Sequence, residues 1–190
     1  GSISLKGAIF DDLSFKNYKK DLKSEETVVL LNPKDIEDGY FIESGWASVG
    51  NEVEVPGADS LWQVKGNRVL SEKNDVVLEW NNGKGLVFKK TIKLDEKYLF
   101  KIKQEVKNNT SSKINLYPYS QITRNKKPDD VMGFYILHEG FIGVFDGELK
   151  EDDYDDIKNK KIVRNSDNGR LGITEKYWVA AVVPPKDKNF

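Results

Sequence analysis

The stretch from Val76 to Val106 constrains this chain more than any other. Val76-Val77-Leu78-Glu79-Trp80 reads as a strand. Asn82-Gly83 follows, a pair that readily takes the positive φ angles tight hairpins need, in a loop that runs on to Gly85. Leu86, Phe88, Ile92 and Leu94 then recur at period two, with Lys89, Thr91 and Lys93 opposite. Lys90 is the one break in that apolar phase. Beyond Asp95-Glu96-Lys97, the residues Tyr98, Phe100, Ile102 and Val106 alternate with Leu99, Lys101, Lys103 and Glu105. One apolar face and one wet face is the pattern of a half-buried antiparallel sheet. The expected fold is all-β, of mostly antiparallel strands with little helix.

Similar signals flank this meander. Ile3, Leu5 and Ala8-Ile9-Phe10 read as strand, whereas Lys16 to Glu26 is polar and lysine-rich and is expected to be loop or irregular edge. Thr27 to Leu31 is a β-branched run stopped by Asn32-Pro33, hence a buried strand. Tyr40-Phe41-Ile42 and Trp46-Ala47-Ser48-Val49 are expected as separate strands, broken by Gly39 and Gly45. Pro56-Gly57 marks a turn before Leu61-Trp62-Gln63-Val64. The cluster Asn108-Asn109-Thr110-Ser111-Ser112 fits a glycosylation sequon and, more simply, a turn; Ile114 to Tyr117 resumes the strand pattern. Gly133 to Phe145 is strand-like. Glu148 to Lys161 is highly charged, and its Leu149, Tyr154 and Ile157 fit one side of a short helix or an ordered loop. Trp178 to Val183 reads as a last apolar strand, ahead of Pro184-Pro185.

Composition narrows the function classes. At 190 residues, residues 1–190 are expected to form a single domain. The formal net charge of −1 gives the whole chain no electrostatic case for nucleic acid. There is no cysteine, and no apolar run of about 18 residues that would span a bilayer. His138 is the only histidine. Beside Glu139 and Gly140 it invites a general-base or metal-ligand role, but a lone hydrogen-bonded histidine on a strand is the better reading. Metal sites built on histidine or cysteine need several such ligands, which this chain cannot supply; a site made only of carboxylates stays open, while no metal and no cofactor are expected. The run Glu151-Asp152-Asp153-Tyr154-Asp155-Asp156 lacks the alternating carboxylates, central glycine and closing glutamate of an EF-hand loop. Trp46, Trp62 and Trp80 read first as core residues and second as walls of a groove for an extended peptide, lipid or sugar.

Several segments together resemble one family. Gly1-Ser2-Ile3-Ser4-Leu5-Lys6-Gly7-Ala8 with Asp11-Asp12-Leu13 is similar to the opening of the periplasmic domain of the YidC membrane protein insertases, in their alphaproteobacterial form. The likeness runs through Gly45-Trp46-Ala47, Val55-Pro56-Gly57, Leu61-Trp62-Gln63-Val64 with Gly66, and Leu78-Glu79-Trp80-Asn81-Asn82-Gly83. It continues in Tyr117-Pro118-Tyr119 with Ile122 and Arg124, then in Leu137-His138-Glu139-Gly140-Phe141-Ile142-Gly143-Val144. It closes on Leu171-Gly172-Ile173-Thr174-Glu175-Lys176-Tyr177-Trp178. Each motif is weak alone; their order is specific.

The resemblance implies a β-supersandwich like that of galactose mutarotases. It also implies a place on the periplasmic face of the bacterial inner membrane, and no enzymatic activity. The domain is expected to assist the insertion and folding of inner-membrane proteins through protein contact. Its implied partners are Sec translocon components such as SecDF and, through the full-length insertase, nascent inner-membrane proteins. The resemblance implies that family members usually have another strand before Gly1, and more strands and a helix after the pair matching Pro184-Pro185, so open sheet edges are expected. Asp152, Asp153, Asp155 and Asp156 are the candidate partner contacts. The alternative is a ligand-binding module whose groove is lined by Trp46, Trp62 and Trp80.

Overall fold

The computed structural model describes residues 1–129, 131, 137–158 and 160–185. Of the strand-like stretch expected from Gly133 to Phe145, residues 133–136 lie outside them, and the strand among the described residues begins at Gly140. In chain order the strands are β1 (Ser2–Ser4), β2 (Ile9–Lys19), β3 (Thr27–Leu31), β4 (Tyr40–Ser48), β5 (Gln63–Lys65), β6 (Val76–Asn81) and β7 (Leu86–Leu94). There follow β8 (Phe100–Asn108), β9 (Leu116–Arg124), β10 (Gly140–Phe145), β11 (Glu148–Asp153), β12 (Arg170–Glu175) and β13 (Trp178–Val182). A 3-10 turn at Val49–Asn51 and the four-residue helix α1 (Tyr154–Ile157) are the helical pieces among the described residues. The all-β, antiparallel expectation holds. One sheet runs β1-β2-β4-β9 with β3 on β2, a second β5-β6-β7-β8, and a third β11-β10-β12-β13.

The residues group into two compact units, one of Gly1–Ser2, Phe10–Ile42 and Gln121–Phe190, the other of Ile3–Ile9 and Glu43–Ser120. In the second unit the meander forms as its periodicity demands. Three cross-strand rows share the inner face: Val76–Ile92–Ile102, Leu78–Lys90–Gln104 and Trp80–Phe88–Val106. Phe88 and Ile92 are fully buried, and Trp46 and Trp62 pack with them, the Trp46 ring lying edge-on to Phe88 at 5.1 Å. The hairpin loop closes through side chains: Asn82 Oδ1 accepts from the amides of Lys84 and Leu86, while Gly83 and Gly85 take positive φ.

In the first unit, Phe15 of β2 stacks on Trp178 of β13 at 4.5 Å, and Tyr18 meets the same indole edge-on. Ile173 and Ala180, opposite each other on β12 and β13, are buried. The hairpin from β10 to β11 turns on Asp146-Gly147, with φ of 52° and 89°. Phe145 pairs with Glu148 across it, so the loop is the two-residue kind that needs both φ angles positive.

Three readings change. The polar tail of β2 is strand as far as Lys19, because main-chain pairing of Lys19 with Thr27 holds it across a register shift while its side chains face water. The loop begins only at Lys20, where Asp21 Oδ1 accepts the amides of Lys23 and Ser24. Residues 40–48 form one strand and not two. Gly45 does not break it; a Cβ there would meet the Tyr119 ring at 2.8 Å, so the glycine admits that ring against the backbone. The charged stretch after Gly147 is strand before it is helix, because β10 supplies a full ladder of partners to β11.

Gly172 is a sharp test of this packing. A Cβ on it would lie 2.5 Å from the Ala180 carbonyl oxygen, a backbone atom that cannot swing away. Gly172→Ala is expected to lower unfolding stability by about 2 kcal/mol, the scale of overpacking a filled site. Gly57→Ala, where nothing lies within 4 Å, is the control and changes stability little. Urea titrations of the two variants check this; equal midpoints would show that the β12–β13 pair has slack.

Candidate functional site

Three polar arrangements are built into this fold, and the first two place a charged residue in the apolar phase of its strand. On β7, Lys90 occupies an apolar position and is only 2% exposed. Its Nζ donates to the carbonyl of Ser44 at 2.5 Å and reaches that of Ala8 at 3.4 Å. It also lies 5.0 Å from the Trp62 ring centroid, where the negative face of the indole favours a cation. Gln104, its cross-strand neighbour, donates to the next carbonyl along β4, that of Gly45, at 2.9 Å. Burial drives the Lys90 ammonium down to about 8, and Glu43 opposes that shift without cancelling it. The sequence marks Lys90 only as a break in period; its role depends on carbonyls 46 and 82 positions away.

In the first unit, Ile122 and Arg124 share a strand phase on β9, as do Ile173 and Glu175 on β12. The two charged residues form a largely buried ion pair. The guanidinium lies 4.5 Å from the centroid of the Tyr40 ring. The hydroxyls of Tyr40 and Tyr154 are both buried and meet no hydrogen-bond partner of good geometry among the described residues, although the Arg124 guanidinium lies close to the Tyr154 oxygen. Burial, reinforced by Glu175, raises the Tyr40 hydroxyl far above its ordinary range. Tyr154 shifts upward chiefly through burial too, with Arg124 opposing. These four residues were not singled out as a cluster from the sequence. The available signal was a charge two residues from an aliphatic neighbour on the same strand face.

The four candidate acids of the charged run have separate partners. Asp152 is turned to Arg164 at 2.6 Å and is 15% exposed. Asp153 caps α1, and Asp156 reaches back to the Asp153 amide, a reciprocal box. Asp155 pairs with Lys127 at 2.9 Å, which holds its carboxyl below the usual range. Asp153 and Asp155 keep most of their surface in water. His138 precedes β10 and is half-buried, its Nε2 3.0 Å from the Phe141 carbonyl and its Nδ1 3.5 Å from Asp153. No three His, Asp or Glu side chains converge as a metal site among the described residues.

The three tryptophans proposed as groove walls fall differently. Trp46 and Trp62 are buried and stacked at 6.4 Å, so they serve the core of the second unit. Trp80 is half-buried beside Phe88. A shallow groove of about 760 Å³ does exist in that unit, lined by Val53, Val55, Leu86 and Ile114 together with polar residues that include Glu54, Lys84, Asn82 and Thr110. None of the three indoles lines it.

Lys90 gives a pH signature. Its pKa is about 8 folded against 10.5 unfolded, so between those values the unfolded chain binds more protons and stability rises with pH. The difference in unfolding free energy between the native chain and Lys90→Met is expected to grow by about 3 kcal/mol in favour of the native chain from pH 7.5 to 10.5. Tyrosine ionisation acts on both proteins and cancels. A difference that stays flat in urea titrations across this range would mean that the ammonium is not desolvated.

The family described as the YidC periplasmic domain matches residues 1–190, which places the chain in the periplasm. A protein of Pelagibacter ubique named membrane protein insertase YidC is 47% identical over 190 residues, covering all of this chain and 34% of the relative. Its namesake in Methylorubrum extorquens is 41% identical over 202 aligned residues, covering all of this chain and 32% of that protein. The namesake in Sinorhizobium medicae is 39% identical over 195, with the same shares. This chain thus spans about a third of the length of the curated relatives it matches. No helix among its described residues is long and apolar enough to cross a membrane.

Proposed function

The chain belongs to the YidC periplasmic domain family, and from that premise we propose that residues 1–190 act as one accessory domain of an inner-membrane protein insertase. The domain assists insertion and folding by protein contact and carries out no reaction of its own. The observation that carries this reading is the end-to-end match to relatives named as insertases. The chemistry present supports it. There is no cysteine, the one histidine is held by a backbone carbonyl and a capping aspartate, and the buried ionic groups are bound to each other or to the backbone.

The contact surface in this reading is the β11–α1 segment, and the partner is a Sec translocon component such as SecDF. Asp153 and Asp155 present exposed carboxylate oxygens from a segment fixed on both sides by Arg164 and Lys127. Nascent inner-membrane proteins meet the domain through the full-length insertase. A pull-down on the periplasmic part of SecDF is expected to retain the native chain and to lose several-fold on reversal of Asp152, Asp153, Asp155 and Asp156. Three of those acids also hold the local fold, so Asp155→Lys, checked for an unchanged melting curve, is the cleaner companion. Equal capture of native chain and Asp155→Lys would remove that carboxylate from the contact, and equal capture of the fourfold variant would remove the whole run.

A second reading, a ligand-binding module, has the shallow groove beside Val53 and Ile114 in its favour. The groove's Val53, Val55, Leu86 and Ile114 suit the side chains of an extended peptide, while Asn82, Thr110 and Ser112 and the Glu54–Lys84 ion pair offer hydrogen-bonding groups to its backbone. Calorimetric titration with unfolded apolar peptides is expected to show saturable heat that Val55→Asp abolishes. Heat that survives this substitution would place binding elsewhere.

A further inference from the structure

The outer face of the β5–β8 sheet carries a charge pattern that its own stability does not ask for. Its outward positions are Gln63 and Lys65 on β5, and Val77, Glu79 and Asn81 on β6. They continue as Val87, Lys89, Thr91 and Lys93 on β7, and Lys101, Lys103, Glu105 and Lys107 on β8. Six lysines stand there against two glutamates, in a chain whose totals are 30 basic and 31 acidic residues. Lys93 and Lys101 are directly opposed across the β7–β8 ladder, a like-charge pairing that costs stability. Asp75 offsets Lys93 at 2.6 Å from the flank, and Glu105 is shared between Lys89 and Lys103. Lys101 and Lys107 form no salt bridge with the described residues, although Lys101 lies near enough to Asp95 to help lower its pKa. Lys103 keeps 71% of its side-chain surface in water and Lys93 keeps 59%. Exposed large apolar side chains are absent from this set of outward positions.

We propose that this face docks on a bilayer surface of anionic phospholipid headgroups. A pleated sheet offers a broad array of ammonium groups on long stems, which fits many phosphates in a plane better than one phosphate in a pocket. The absence of large exposed apolar side chains suits headgroup contact without insertion. A lysine beside such a surface is worth about fivefold in partitioning, since it contributes about 1 kcal/mol. The inference rests on reading the chain as a domain of a membrane protein, which brings a bilayer within reach. Lysines on an edge strand also discourage pairing with other chains, a purpose that covers Lys65 on β5 and the lysines of β8 but not Lys89 and Lys93 on the inner strand β7.

The test is co-sedimentation of the 190-residue chain with phosphatidylcholine vesicles, with and without 40 mol% phosphatidylglycerol, at about 50 and 300 mM salt, low and high against the Debye screening length. Binding is expected only to the anionic vesicles and is weakened by salt. A Lys93→Gln, Lys101→Gln, Lys103→Gln, Lys107→Gln variant is expected to lose about tenfold or more in partitioning. Lys16→Gln, Lys19→Gln, Lys20→Gln, Lys23→Gln removes as much charge from another part of the chain and retains binding. No dependence on phosphatidylglycerol, or equal loss in both variants, overturns the proposal. Retention on SecDF is scored separately, so a native chain that fails to bind the anionic vesicles while SecDF still captures it refutes the docking face and leaves the accessory-domain reading standing.

Discussion

One buried cation sets the terms for half of this protein. Lys90 sits among Leu78, Phe88, Ile92 and Trp62, where an unpaired ammonium would be driven out. It stays because two distant backbone carbonyls and an indole face surround it. The same contacts fix the chain that supplies those carbonyls. With Lys90 on the Ser44 oxygen and Gln104 on that of Gly45, the second half of β4 is registered against β7 and β8 by side chains that reach its backbone. A one-residue slip of β7 would turn Lys90 to water and bring Lys89 and Thr91 inside, so the register has a polar lock as well as an apolar one.

The first unit uses ions in another way. Its charged run looks from the sequence like free negative charge, yet most of these carboxylates are parts of a frame. Arg164 holds Asp152, the turn into α1 is closed by Asp153 and Asp156, and Lys127 reaches Asp155 from the far end of β9. Beneath that frame, Arg124 and Glu175 tie β9 to β12 with two tyrosine rings around them. The exposed acids are therefore presented from a fixed base, which a contact surface needs and a solubilising loop does not.

Much of the fold was legible because its main sheet alternates cleanly. Leu86 to Leu94 and Phe100 to Val106 state both the strand and its buried face. Failures arose where pairing overrides local character. The lysine-rich end of β2 and the acidic β11 have poor strand propensity and become strands because a neighbour offers a ladder. Asp146-Gly147 is a hairpin-turn pair readable in the sequence, and it marks the second of these as the return strand of a hairpin. Gly45 reads as a breaker in one dimension and is a seat for Tyr119 in three. The buried polar groups were less legible than the strands. A lysine out of phase can be seen in the sequence, but the carbonyls that satisfy it, and the pairing of Arg124 with a glutamate 51 residues on, exist only once the sheets are assembled.

The aromatic residues are divided unequally between the two units. Trp46, Trp62 and Trp80 belong to the second, while Trp178, stacked on Phe15, is the sole indole of the first. Near-ultraviolet emission therefore sees the two halves through separate lamps. With Trp178 replaced by phenylalanine the signal reports the second unit alone, and with the other three replaced it reports the first. Whether the halves melt as one cooperative body or in sequence can be read from the coincidence of those two curves, with no label added to the chain.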